Sequence, residues 1–295
     1  MSGARSCVWA EGHTDSVSER VDPSAPRLSV VTPVLNGAAF IEGCVRNVAE
    51  QNCKRVEHII VDGGSTDVTL AVLDRLVEEI PRLRVLIEPG MRQSAAMNVG
   101  IQASEGTVIG ILNVDDYYAP GTLDRVLELF ASFDAPTLLV GNCNLWRDGQ
   151  EPFVNRPSDL RLESVLLGPH HCPFPLNPAA YFYDKDVHEV VGFYDEDDDY
   201  TMDADFLFRA LASVHTEYRD ELWGHVRVHD AAKTEISKAS GLNRGRLRRI
   251  LNKHRRRLPL ARQIALRCRL LVLDAWLGVR LLRDPARLRR ALRGT

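Results

Sequence analysis

LSVVTPVL at residues 28–35 and VEHIIV at residues 56–61 decide the fold. Each run is short, apolar and rich in β-branched residues, the composition of a strand buried on both faces. A helical pattern from Ala38 to Gln51 lies between them. The alternation continues outward with a helix at Asp67–Glu79, a strand at Leu83–Ile87, a helix at Ser94–Ala103 and a strand at Thr107–Leu112. A further helix is expected to open at Pro120, where the fixed φ of proline suits a first turn. Such alternation predicts an α/β fold, a doubly wound and mostly parallel sheet with helices on both faces. After Leu138–Val140 the pattern loosens into a proline-rich loop, GPHHCPFPLNP at 168–178. A strand at Ala179–Tyr183 and a helix at Met202–Ser213 follow, the helix opening among acidic residues that suit its positive end.

The 295 residues are 45% hydrophobic and 26% charged, enough for a substantial core. No run of about eighteen apolar residues occurs, which argues against a membrane-spanning helix. Residues 1–26 are rich in Ser, Asp, Glu and Pro and read as a disordered lead-in rather than a secretion signal. The six cysteines form no CxxC pair, so idle thiols in a reducing cytoplasm are expected. The net charge of −3 conceals a division: residues 244–295 carry 17 Lys/Arg against two Asp/Glu. The charge split sets a basic, amphipathic helical tail at 241–295 apart from the lead-in and an acidic body at 27–240.

Drawn as one helix from Pro259 to Arg290, the tail aligns Leu266, Leu270, Leu273, Leu277 and Leu281 on a face beside an arginine stripe. Such a helix can rest in a membrane interface, pack on the catalytic domain or pair with another subunit. The favoured expectation is peripheral contact with the inner face of the cell membrane. Nucleic acid is not expected, because the tail has one aromatic residue, Trp276, and the body is acidic.

Four polar segments, Thr32–Asn36, Asp62–Asp67, Glu88–Gln93 and Asn113–Asp116, fall where parallel strands end. In an open α/β sheet those ends share one edge, and ligands bind outside it. Asn113-Val114-Asp115-Asp116 offers carboxylates suited to a hard cation such as Mn²⁺ or Mg²⁺, which takes oxygen ligands and bridges phosphates. Taken alone, it reads more readily as a solvated turn. In Asp62-Gly63-Gly64-Ser65-Thr66-Asp67 the glycines allow a tight turn and close ligand approach, while Ser65 or Thr66 could cap the next helix. Walker and GxGxxG sequences are absent, which lowers phosphoryl transfer and dinucleotide binding.

Together, VVTPVLN (30–36), IIVDGGSTD (59–67), GMRQSAAMNVGI (90–101), ILNVDDYYAPG (111–121) and YTMDADFLFRAL (200–211) resemble the family 2 glycosyltransferases with the GT-A fold. The motifs keep the family's order over roughly residues 27–240, and Asn113-Val114-Asp115-Asp116, at the family's DxD-type position, resembles an LN-x-DD subgroup. The resemblance implies an inverting, metal-dependent transfer of sugar from a nucleotide-diphosphate-sugar donor to a glycan or lipid-linked acceptor. It implies donor contacts at Thr32, Pro33, Asp62, Arg92, Gln93, Asn98, Asn113 and Asp115, and metal ligation by Asp115, Asp116 and His229. Asp203 matches the general base, with Asp205 and Lys233 in support. Gly63 stands where many members carry a second acidic residue that reads the base. His170, His171 and Cys172 read as acceptor-loop residues. A sugar-nucleotide nucleotidylyltransferase is the rival enzyme, although PVLNGAAF lacks its glycine-rich, basic loop. A catalytically silent nucleotide-binding scaffold is the third reading.

Overall fold

Strand β1 (Leu28–Val34) is buried along its whole length, as its unbroken apolar run requires. In the computed structural model, which describes residues 27–147, 149–175, 177–229 and 242–283, it pairs in parallel with β2 (Val56–Asp62) and β4 (Val108–Ile111). β2 pairs in parallel with β3 (Leu83–Ile87). The connecting helices are α1 (Ile41–Glu50), α2 (Thr69–Glu79) and α3 (Gln93–Ala103). This half matches the expected alternation within a few residues.

The second half is mixed. It comprises β5 (Asp116–Tyr118), α4 (Thr122–Phe130), β6 (Thr137–Trp146), β7 (Phe153–Asn155), α5 (Leu162–Val165), β8 (Tyr181–Asp184), α6 (Val187–Val191), α7 (Met202–Ser213) and β9 (His215–Arg227). The sheet runs β3-β2-β1-β4-β8-β6-β9-β5, with β7 beside β6. β8 is antiparallel to both β4 and β6, so the direction changes there. α4 begins at Thr122 rather than Pro120, because Gly121 takes a left-handed φ of 76° immediately before it.

Both faces of the sheet are covered. Cys44 and Val48 of α1 join Leu123, Val126 and Leu127 of α4 on one side. Met97 and Ile101 of α3 join Phe206, Leu207 and Ala210 of α7 in a second cluster. Between β6 and β9 the packing is tight at one point: a Cβ placed on Gly141 would overlap the indole of Trp223.

The tail forms α8 (Leu242–Arg255) and α9 (Leu260–Arg283). Ile250, Leu251, Leu258 and Leu266 are buried in one cluster with Val165, Leu166 and Phe208. Leu270 and Leu273 pack partly against it. Each buried apolar side chain contributes roughly 2 kcal/mol, so this docking is comparable with the whole net stability of a domain. The first part of the expected membrane-facing leucine stripe is thus covered by the catalytic domain. The side chains of Leu277 and Leu281 lie outside the described residues.

Candidate active site

The strand-end rim is assembled by hydrogen bonds within the protein. Asp62, wholly buried, accepts from the N–H groups of Gly64 (2.8 Å) and Ser65 (2.7 Å) and from the Ser65 hydroxyl (2.5 Å). Gly64 has a φ of 95°, and a Cβ on Gly63 would lie 3.0 Å from the Met91 carbonyl oxygen. The close approach permitted by these glycines is therefore that of the 89–91 loop. Asn36, itself left-handed at φ 54°, ties the β1 loop to the same turn. Its N–H donates to Ser65 Oγ (2.7 Å), and its Oδ1 accepts from the N–H groups of Thr66 (2.8 Å) and Asp67 (3.3 Å).

From this turn the network continues around the edge. Gly90 N–H donates to the Gly63 carbonyl at 2.9 Å. Gln93 Nε2 donates to Asn113 Oδ1 at 3.2 Å. Arg92 Nε donates to Asp199 Oδ2 at 2.6 Å, while the other Asp199 oxygen accepts from the Ser94 N–H (3.2 Å) and hydroxyl (2.9 Å). The adjacent Asp198 accepts from the Thr201 N–H (3.0 Å), where α7 starts. Asp203 occupies the first turn of α7, close enough that its charge, after burial, raises the Tyr181 and Tyr194 phenols. Hydrogen bonds thus link the turn at 62–67, the 89–94 segment, Asn113 and Asp199, and α7, which carries Asp203, starts three residues after Asp199.

At the acidic motif, Asp116 is 2% exposed and opens β5, facing Val226 of β9. The side-chain amides of Asn113 (2.9 Å) and Asn177 (2.7 Å) donate to its Oδ2. Burial, then the neighbouring Asp115 charge, pushes this carboxyl up to about 7. Asp115 Oδ2 lies 2.9 Å from His229 Nε2, and that imidazole sits against the Phe40 ring with centroids 4.9 Å apart. Two adjacent carboxylates met by neutral amides and an imidazole are short of positive charge and suit a divalent cation. Among the described residues no cluster of three His, Cys, Asp or Glu forms a ready metal cage. The expected ligand trio is accordingly incomplete, since Asp116 turns an oxygen to Asn113 and Asn177. A cation held here needs substrate oxygens or water for the remainder of its shell, as Mg²⁺ commonly does.

Several sequence expectations change. Thr32 and Pro33 are buried within β1, and Thr32 is hydrogen-bonded to His58 (2.9 Å), whose imidazole burial lowers to about 3. Both side chains are thus enclosed in a central strand; Leu35, Asn36 and Ala39 are the exposed residues of the loop that follows. Asp62 is engaged by its own turn. Asn98, 3% exposed, binds the Tyr194 backbone on both sides of its amide and the Glu196 carboxylate, so it holds the acidic loop. Arg92 is paired with Asp199. His171 reaches Asp274 of α9 (2.8 Å) rather than an open acceptor loop. Lys233 lies outside the described residues. Gln93, Asn113, Asp115 and His229 remain at the rim, all partly accessible.

Asp205 faces the tail. Its oxygens accept from Arg209 Nε (2.8 Å), Lys253 Nζ (2.9 Å) and His254 Nε2 (2.8 Å). Burial opposes ionisation, but these hydrogen bonds and the Arg209 and Lys253 charges hold the carboxyl well below the usual range. Asn36, Asn177, Asp199 and His254 were not singled out from sequence. Asp199 had one signal, its place at the end of an acidic run directly before YTMDADF.

Residues 29–164 match the family described as Glycosyl transferase family 2. Over 196 residues the chain is 26% identical to glycosyltransferase EpsJ of Bacillus subtilis (strain 168), covering 63% of this chain and 56% of EpsJ. Over 122 residues it is 34% identical to a PGL/p-HBAD biosynthesis glycosyltransferase of Mycobacterium bovis (strain BCG / Pasteur 1173P2), covering 40% of this chain and 47% of that protein. The chain thus spans about half the length of these curated relatives. Among solved structures, residues 1–349 of S. aureus TarS in complex with UDP align with a TM-score of 0.61 at 16% identity, over 83% of this chain and 70% of TarS. The UDP-GlcNAc complex of the same TarS fragment aligns at 0.58 and 17% identity, over 70% and 60%. At such identity the likeness is one of fold, the GT-A architecture.

Proposed function

We propose, from the premise that residues 29–164 are a family 2 glycosyltransferase domain, that the chain transfers a sugar with inversion from a nucleotide-diphosphate-sugar to a glycan or lipid-linked acceptor. The observation that carries this is the meeting of Gln93 with Asn113 and of His229 with Asp115 at the ends of the parallel strands, next to the Arg92–Asp199 pair that precedes α7. That UDP and UDP-GlcNAc occupy the TarS structures supports a nucleotide-sugar here.

Asp203 accepts the proton of the acceptor hydroxyl as its oxygen attacks the anomeric carbon. The bond from that carbon to the donor diphosphate breaks, and the electron pair leaves with the phosphate oxygen. Asp115 and Asp116 would hold Mn²⁺ or Mg²⁺, which supplies neutralisation of charge on the departing diphosphate. His229 orients the Asp115 carboxylate. Catalysis takes place at the cytoplasmic face of the membrane, where a lipid-linked acceptor is presented; no helix among the described residues is long and apolar enough to cross it.

Nucleoside diphosphates, screened by thermal shift with and without Mn²⁺, should stabilise the protein selectively for one base. Release of the nucleoside diphosphate should fall roughly 10²–10⁴-fold in Asp203→Asn. Release of pyrophosphate instead, or turnover surviving in Asp203→Asn, would refute the assignment.

A further inference from the structure

α9 has a second apolar face. Its inner face, with Leu266 4% exposed, is packed on the catalytic domain. On the other side Ile264, Leu271, Val272 and Trp276 are 54%, 70%, 69% and 55% exposed. Ala261 and Ala265, also exposed, extend the same stripe at three- and four-residue steps. From Ala261 to Trp276 these residues cover about 24 Å of the helix, a continuous strip rather than scattered surface residues.

Its borders are cationic. At helical spacing Arg267 flanks one edge, and Arg262 and Arg269 flank the other. Arg262 also meets Glu163 at 2.9 Å and Arg269 Nη1 lies 3.5 Å from Ser164 Oγ, which places that edge beside the catalytic domain. Residues 242–283 hold thirteen Lys/Arg against one acidic residue, Asp274.

We infer that this outer face of α9 is the docking surface for an anionic lipid bilayer, with the helix lying in the interface plane. An exposed apolar strip between rows of arginine matches acyl chains below and anionic headgroups at each side. A second copy of the chain fits poorly, because pairing two such strips would bring arginine rows together with Asp274 the one acidic residue of residues 242–283 to offset them. The inference deepens the proposed function, resting on its membrane-borne acceptor, and assigns the contact to the face opposite the leucine stripe.

The test compares the full chain with a Leu271→Glu, Val272→Glu double variant in vesicle co-sedimentation. Vesicles of about 30% phosphatidylglycerol in phosphatidylcholine are set against phosphatidylcholine alone. The native chain should bind the anionic vesicles, weaken with salt, and lose affinity roughly tenfold or more in the variant. Both positions are largely exposed, so the melting temperature and nucleoside diphosphate release with a soluble acceptor should be unchanged. Equal binding by the variant, equal binding to neutral vesicles, or a dimer in light scattering that the variant dissociates would each overturn the inference. Absence of turnover in both proteins, with vesicle binding intact, would instead count against the glycosyl-transfer reading alone.

Discussion

Asp116 at the strand-end rim and Asp205 on α7 are nearly excluded from solvent, at 2% and 4% exposure, yet their partners are of opposite kinds. Asp116 receives amides from Asn113 and Asn177 and has a like charge beside it, so burial drives its carboxyl up to about 7. Asp205 receives Arg209, Lys253 and His254, and stays ionised despite burial. Neutral donors orient a carboxylate without cancelling its charge; cationic donors do both. A cation bound at the rim would therefore favour the ionised form of Asp116, whereas Asp205 already has its counter-charges in the joint between α7 and the tail.

The largest expected effect separates the two sites by activity. Asp115→Ala should reduce nucleoside diphosphate release by about 10²-fold or more with little change in melting temperature, measured on the same preparation. Asp205→Asn should do the reverse in stability, costing about 1–3 kcal/mol in urea denaturation, because a buried acceptor of charged hydrogen bonds is lost while Arg209 and Lys253 stay partly exposed. If Asp205→Asn melts like the native chain, the joint is not electrostatic. Mn²⁺ with the cognate nucleoside diphosphate at about a hundred times Kd should stabilise the native chain by about 2.7 kcal/mol, and Asp116→Asn should lose much of that shift. The smallest effect is in pH. Because the folded Asp205 pKa is depressed, its contribution is present above the unfolded value of about 3.9 and is lost as pH falls through the folded one. Acid titration of stability should therefore be shallower in Asp205→Asn than in the native chain.

The parallel half of the sheet was legible because strands buried on both faces must be written as apolar runs. β9, HTEYRDELWGHVR, was not: it is half-exposed along most of its length and broken by charged residues, with Trp223 and Gly224 its buried residues. β5 was hidden inside a motif read as a turn, and its register against β9 is what fixes Asp116. Motif spacing placed Thr32 and Asp62 at the correct edge but carried no information on orientation, and both side chains turned inward. Asn177 donates to a carboxylate 61 residues away, a pairing that no local pattern encodes. In the tail the amphipathic period was readable, while the identity of the surface covering its leucines was a property of the three-dimensional packing around Phe208.

Gly141 shows how far from the rim its tolerance is decided. The strand carrying Trp223 can settle beside β6 only because position 141 has no side chain, and three residues further along that strand Val226 aligns with Asp116. An alanine there would act as a shim driven between two planks, displacing the far plank and the carboxylate nailed to it. The fine adjustment of the acidic motif therefore belongs to a missing carbon atom deep in the sheet, out of reach of any substrate.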